Sequence, residues 1–289
     1  MINSNIYSNF YNTLEIGDNY PTVIMGVINL SPESFYKGSI YKGLEEIKNA
    51  AKEMISNGAK MLDIGARSTA PWSKKISINQ EKERIIPALE IISESIDNDV
   101  ILSIDTQYHE IAEIAYDIAN RFKKKIMIND VSCLKTDTSL IDFIVSREIP
   151  LILMASKKIP GDLCKIEEII EELGKTINML KNKGYNEDNI IIDPGIGHWV
   201  EKKTYKYDLK IIDNLQKLRV FQKPILVAIS RKSFIGSVLK IDDPEERLAG
   251  SLSSTAIAVY NGAHIIRTHD VNKNLLEVIS MAEAIRKNQ

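Results

Sequence analysis

The sequence predicts a (β/α)8 barrel, and three observations carry that expectation. Short runs rich in Ile, Val, Leu and Met recur eight times, at 22–28, 60–64, 100–104, 125–128, 150–153, 189–192, 225–229 and 264–267. Seven of them are nearly solid with apolar residues, as strands covered on both faces should be. Longer charged segments with helical spacing lie between the runs, so strand and helix alternate along the chain. Polar residues able to do chemistry follow the runs: Asn29, Asp63, Asp105, Asn129, Asp193, Ser230 to Lys232, and Arg267 with His269. In a parallel barrel those places are the C-terminal strand ends, where active sites are built. A doubly wound open sheet shares the alternation and is the alternative architecture.

The elements follow in order. Residues 1–20 precede the first run and read as an N-terminal extension covering a barrel domain over 21–289. Leu44, Ile47, Ala51 and Met54–Ile55 make one apolar stripe; Ile85–Ile86, Leu89, Ile92 and Ile96 make a second. Ile166, Ile169–Ile170, Leu173, Ile177 and Leu180 make a third, and 209–219, 245–261 and 273–286 read the same way. The small residues at 249–256 allow close packing against another helix, within the chain or across a dimer.

Composition narrows the function. The chain has 289 residues, 44% of them apolar, with 37 basic against 39 acidic side chains and a net charge of −2. This is globular chemistry, and so even a balance argues against a dedicated nucleic-acid binder. The longest strongly apolar run, 23–30, is far short of the roughly 20 residues of a membrane span, and no secretory signal pattern opens the sequence. Cys133 and Cys164 cannot make a disulfide framework and fit a reducing cytoplasm. With His109, His198, His264 and His269 at no ligand spacing to another His or Cys, a zinc site is not expected.

Each strand-end motif has a plain structural explanation when taken alone. Asn29-Leu-Ser31-Pro32-Glu33-Ser34-Phe35 has turn chemistry. Asp63-Ile-Gly65-Ala-Arg67-Ser68-Thr69-Ala70-Pro71 could cap a helix, and Arg267 could pair with Asp270 across the barrel mouth. Lys123 to Lys125 fall on the far face and read as solvated. Asp193-Pro194-Gly195-Ile-Gly197 lets the backbone approach a ligand, but Trp199 and Val200 break any dinucleotide fingerprint. No Walker A loop and no G-x-S-x-G elbow is present. Taken together, a carboxylate can accept two parallel hydrogen bonds from an amidine-like ring edge. An Arg/His pair with an asparagine suits an anion and its divalent metal. The sum describes a site for a polar heterocycle bearing phosphate.

Seven motifs in order, MGVINLSPESF, DIGARSTAP, SIDT, IND, DPGIG, SRKSFIG and RTHD, give the chain a resemblance to dihydropteroate synthase, of the pterin-binding barrel superfamily, from about residue 22 to 281. The resemblance implies a transferase that displaces pyrophosphate from 6-hydroxymethyl-7,8-dihydropterin diphosphate with the amine of p-aminobenzoate, in the presence of Mg²⁺. It implies that Asn29 helps hold metal and diphosphate, and that Asp105, Asn129 and Asp193 line the pterin pocket, with Asp193 on the ring's amino edge. Met154 would pack near the ring, Lys232 would hydrogen-bond it, and Arg267 and His269 would bind the leaving diphosphate. Thr69, Ser233 and Phe35 would lie near the second substrate. A homodimer is implied by the same resemblance.

The sequence also departs from that pattern. The usual Glu-Ser-Thr-Arg-Pro-Gly reads Arg67-Ser68-Thr69-Ala70-Pro71-Trp72, the first loop has Tyr36-Lys37-Gly38-Ser39, the residue after Met154 is Ala155, and His198-Trp199-Val200 follow Gly197. Losing a guanidinium at position 70 predicts a weak grip on free p-aminobenzoate and favours an arylamine with a larger substituent, unless Arg67 or Lys37 restores carboxylate binding. Two other readings use the same barrel: a methylpterin-dependent methyltransferase, and a pterin-binding protein without synthase activity. The methyltransferase would not need the cations at Arg231, Lys232, Arg267 and His269.

Overall fold

The computed structural model describes residues 5–31, 41, 43–69, 73–197 and 200–288. An antiparallel hairpin comes first, β1 (Tyr7–Phe10) and β2 (Leu14–Gly17). Eight parallel strands follow: β3 (Val23–Asn29), β4 (Met61–Gly65), β5 (Ile101–Asp105), β6 (Lys125–Asp130), β7 (Leu151–Met154), β8 (Ile190–Asp193), β9 (Leu226–Ala228) and β10 (Ile265–Thr268). Their order is β8-β7-β6-β5-β4-β3-β10-β9, and a bridge between Ile192 and Ile225 joins β8 to β9 and closes the ring. Each predicted apolar run holds one of these strands. The architecture is the (β/α)8 barrel, and the open sheet is excluded by closure.

The nearly solid strands hide a period of two that only the barrel reveals. Ile24, Leu62, Leu102, Ile126, Leu151 and Ile190 belong to the layer between the strands and the helices. Met25, Met61, Ile101, Met127, Ile152 and Ile191 instead fill the barrel interior, together with Leu226 and Ile265. Two residues further along the same strands the inward set turns polar, with Asp63 after Met61, Ser103 after Ile101, Asn129 after Met127 and Asp193 after Ile191. The interior is therefore apolar toward the N-terminal end and polar at the C-terminal mouth.

The helices around it are α1 (Leu44–Ser56), α2 (Ile78–Ser95), α3 (His109–Arg121), α4 (Ser139–Arg147), α5 (Ile166–Asn182), α6 (Tyr205–Asp213), α7 (Ser233–Leu239), α8 (Leu248–Tyr260) and α9 (Lys273–Lys287). Ser77 and Gln80 form a capping box that starts α2. The stripe of α5 buries Ile166, Ile169, Leu173, Ile177 and Leu180, whereas on α1 Ile47, Ala51 and Met54 are buried and Leu44 is exposed. The expected helix at 209–219 divides: α6 stops at Asp213 and a 3₁₀ turn, Leu215–Phe221, follows. Leu215 and Leu218, three apart and both fully buried, suit the eclipsed i, i+3 spacing of that turn. The small residues of α8 work inside the chain. A Cβ on Gly250 would come within 2.3 Å of Ile235 and 2.9 Å of Leu239, both on α7.

The N-terminal hairpin seals the apolar end. Phe10 and Ile16 join the interior cluster, Tyr11 donates to Ile126 O at 2.5 Å, and Lys125, expected to be solvated, bonds Thr13 Oγ1. Asp18 is the lock. It accepts from Ile6 N at 2.7 Å and from both terminal nitrogens of Arg219 at 2.7 and 2.8 Å. His264 Nδ1 accepts from Ile225 N at 3.1 Å, so its Nε2 carries the proton that faces Asp18 at 3.3 Å. Partial burial opposes the charge on Asp18, but the bonds from Arg219 and His264 hold its carboxyl well below the usual range. Replacing Asp18 with Asn is expected to lower unfolding stability by about 1–3 kcal/mol at pH 7. Because the folded pKa is depressed, the contribution is complete above about pH 4 and is lost as pH falls below it. Urea unfolding of both proteins at pH 7 and pH 3.5 checks this, and a gap that does not narrow in acid would contradict it.

Candidate active site

One pocket opens at the polar mouth, and nine residues singled out from the sequence line it: Asn29, Thr69, Asp105, Asn129, Met154, Asp193, Lys232, Arg267 and His269. Ser233 is not among the lining residues; it is the first residue of α7, just behind Lys232. Phe35, Lys37, Ala70 and Trp72 lie outside the described residues. Arg67, Ser68, Ser230 and Val131 line the pocket as well.

The strand order sets the residues around the mouth. Asn29 ends β3 and His269 follows its neighbour β10, while Asn129, Met154 and Asp193 lie at the ends of β6, β7 and β8 and Lys232 follows β9, which pairs with β10. Arg267 reaches from β10 to β4 and β5. Its Nε donates to Asp63 Oδ2 at 2.5 Å and its Nη2 to Asp105 Oδ2 at 3.1 Å. Asp63 is fully buried and also accepts from Ser103 Oγ at 2.6 Å and Asn129 Nδ2 at 3.1 Å. Burial and the nearby Asp63 carboxylate push Asp105 up to about 7, against the pull of Arg267. In the sequence Asp63 reads as a strand-end acid, and nothing local shows that it anchors Arg267. The legible signal was a lone carboxylate inside an otherwise apolar run.

On the β6–β9 side, Asp193 accepts from Gly195 N at 2.7 Å. Gly195 has φ +69, and a Cβ there would approach Ala155 O to 3.0 Å, so the tight turn requires glycine. Burial raises the Asp193 carboxyl, opposed by Lys232. Burial brings the Lys232 ammonium down to about 8, opposed by Asp193. Lys232 Nζ also donates to Ile196 O. The loop itself hangs on Lys203, fully buried, which donates to Gly195 O at 2.9 Å and pairs with Asp208 at 3.4 Å. Nothing in Glu201-Lys202-Lys203 announces that role. The period of two puts Asn129 inward and Asp130 outward, where Asp130 accepts from Ser132 Oγ and Leu134 N and shapes the following turn.

On the other side, Asn29 Nδ2 donates to His269 Nε2 at 3.3 Å. The ring proton therefore sits on Nδ1, 3.1 Å from Ser230 Oγ. Burial, with Arg267, Arg231 and Lys232 close by, lowers His269 to about 3, so the ring is neutral at pH 7. The alternative in which Arg267 pairs with Asp270 does not occur among the described residues. Asp270 is held instead by Arg231, through Nε and Nη2 at 2.8 Å each, while Arg231 Nη1 bonds the carbonyls of Pro244 and Glu245.

The donor set can be tested against Mg²⁺. No cluster of three His, Cys, Asp or Glu with metal-holding geometry occurs among the described residues. Asp63 and Asp105 are engaged by Arg267, and the amide oxygen of Asn29, a pocket-lining residue, is a hard donor of the kind Mg²⁺ takes. That fits an ion arriving with a phosphorylated ligand, since Mg²⁺ keeps several waters and takes few protein oxygens beside phosphate.

A family profile described as pterin binding enzyme matches residues 25–269. The chain is 34% identical over 254 residues to the dihydropteroate synthase of Clostridium beijerinckii, covering 88% of this chain and 90% of that one. It is 32% identical over 264 residues to that of Bacillus subtilis, covering 91% and 88%. Among solved structures, a Coxiella burnetii dihydropteroate synthase in complex with pteroic acid superposes with a TM-score of 0.84 at 31% identity, over 98% of this chain and 100% of that one. The Yersinia pestis enzyme with a sulfonamide drug gives 0.85 at 27%, with the same coverage. This chain belongs to the pterin-binding enzyme family, in its dihydropteroate synthase branch.

Proposed function

We propose that the protein condenses 6-hydroxymethyl-7,8-dihydropterin diphosphate with p-aminobenzoate or a related arylamine and releases pyrophosphate, a step of folate or modified-folate synthesis. The carrying observation is the lining of the mouth. Asn129, Met154, Asp193 and Lys232, suited to a polar ring, line one pocket together with Asn29 and His269, suited to an anion, and with Arg267.

Asp193 accepts two parallel N–H bonds from the pterin's amino edge, and Lys232 donates to a ring acceptor. Nη1 of Arg267 makes no hydrogen bond to a described residue, because its Nε and Nη2 hold the two aspartates. That nitrogen and His269 receive the diphosphate, whose own charge favours the protonated ring. Asn29 would help hold Mg²⁺, which when bound would supply charge neutralisation for the leaving group. The methylene C–O bond breaks and its electrons leave with the diphosphate. The arylamine nitrogen bonds the carbon and loses a proton to solvent. An aromatic amine is already neutral at pH 7, so the residues stabilise departure of the anion and no strong base is required.

The unpaired thiols Cys133 and Cys164 support a reducing cytoplasmic compartment. Among the described residues no helix is long and apolar enough to cross a membrane. A homodimer is supported by the exposed apolar face of α8 and α9, with Ile257, Tyr260, Met281 and Ile285.

Incubation with the pterin diphosphate, Mg²⁺ and p-aminobenzoate is expected to yield dihydropteroate and pyrophosphate, read by mass spectrometry; binding of pterin with no product would point to a binding protein. Asp193→Asn is expected to weaken pterin binding about ten- to a hundredfold, as loss of a charged hydrogen bond worth roughly 1.5–3 kcal/mol implies. Its unfolding midpoint should stay close to the parent's, and unchanged titration calorimetry would contradict the ring orientation. With Lys232 near 8 in the free protein, kcat/KM for the pterin is expected to fall as pH rises through that value. Asp193→Asn removes the charge that raises Lys232, so the falling limb should move to lower pH. A profile flat through pH 9 would exclude Lys232 as a charged donor.

A further inference from the structure

The second substrate of the proposed reaction is aromatic, and p-aminobenzoate carries an anionic group. The cations of the mouth are mostly committed. Lys232 donates to Ile196 O beside Asp193, Arg231 holds Asp270, and Arg267 holds Asp63 and Asp105.

Arg67 is placed differently. It follows β4, lines the same pocket beside Ser68 and Thr69, and its side chain is 15% exposed. Its Nε donates to Glu81 Oε2 at 2.6 Å and its Nη1 to Ile76 O at 2.7 Å. Its planar face covers Tyr108, with Cζ 4.8 Å from the ring centroid. Glu81 is fully buried and takes a second bond from Thr106 Oγ1 at 3.1 Å. The guanidinium is thus anchored to α2, to the segment before it and to the turn after β5. Its Nη2 makes no hydrogen bond with any described residue.

We propose that Arg67 selects the acceptor: its Nη2 edge receives the anionic substituent of the arylamine, so that a carboxylated arylamine is preferred to a neutral one. The inference rests on the transferase reading above. A guanidinium already held by Glu81, Ile76 O and Tyr108 loses little freedom when it binds, and it offers a carboxylate directed N–H donors. Glu81 balances its charge, so the preference comes from hydrogen bonding at close range. On this reading Arg67 supplies the carboxylate binding that the missing guanidinium at position 70 would otherwise give. No swing of the side chain is needed, because it already borders the pocket.

Steady-state kinetics with p-aminobenzoate and its neutral counterpart 4-aminobenzamide test the proposal. The parent should prefer the carboxylate. Arg67→Lys keeps a cation for Glu81 but lacks the second edge. It should raise KM for p-aminobenzoate about tenfold or more, the loss expected for one charged hydrogen bond, with KM for the amide and for the pterin diphosphate unchanged within about twofold. The pair Arg67→Gln with Glu81→Gln, which leaves no buried charge unpaired, should erase the preference in the same way if Arg67→Lys folds poorly. Equal KM for both acceptors in the parent, or equal losses for both in the variants, would overturn the role of Arg67 and leave the transferase reading standing. A parent that binds pterin diphosphate yet turns over neither acceptor would overturn the transferase reading and this inference with it.

Discussion

A guanidinium and two carboxylates meet across the centre of the barrel, and the mouth is organised around that charge cluster. Arg267 reaches from β10 to Asp63 on β4 and Asp105 on β5. Taking such charges out of water is costly, and their attraction offsets the cost only when the remaining lone pairs are also satisfied. Asp63 meets that condition with bonds from Ser103, Asn129 and Arg267. The cluster is therefore best understood as a positioning device: it fixes one edge of Arg267 and the amide of Asn129 before any ligand arrives.

The same economy of polar groups recurs around the mouth. Arg231 is held by Asp270, Arg67 by Glu81, and the turn after Asp193 by Lys203 and Asp208. In each pair the buried charge has a partner, so the loops are set by hydrogen bonds of defined direction. Apolar packing, which is indifferent to small rotations, would not set a carboxylate or a guanidinium so closely.

The opposite end of the barrel shows the complementary logic. There the interior is methionine, isoleucine and leucine, closed by Phe10 and Ile16 of the hairpin. Stability is concentrated where nothing needs to enter, and the buried polar groups, which stabilise less, are concentrated at the mouth. Asp18 joins hairpin to barrel through an ion pair with Arg219, which water still reaches, and through a bond to the buried His264.

Strand number, helix stripes and the position of the chemistry were legible from the sequence because each is local. Apolar runs followed by polar residues mark strand ends whatever the rest of the chain does, so Asp105, Asn129, Asp193, Lys232 and Arg267 could be named without coordinates. The resemblance carried by the same motifs pointed to pterin chemistry. Pairing was not legible, since partners such as Arg267 and Asp63 lie 204 residues apart. Only closure of the barrel decided that Arg267 binds Asp63 and Asp105 while Asp270 goes to Arg231, that Asn129 faces in and Asp130 out, and that Lys203 is buried among a run of charged residues. Strands apolar on both faces conceal their inward register, and that register emerges only when neighbouring strands and the N-terminal hairpin enclose one face.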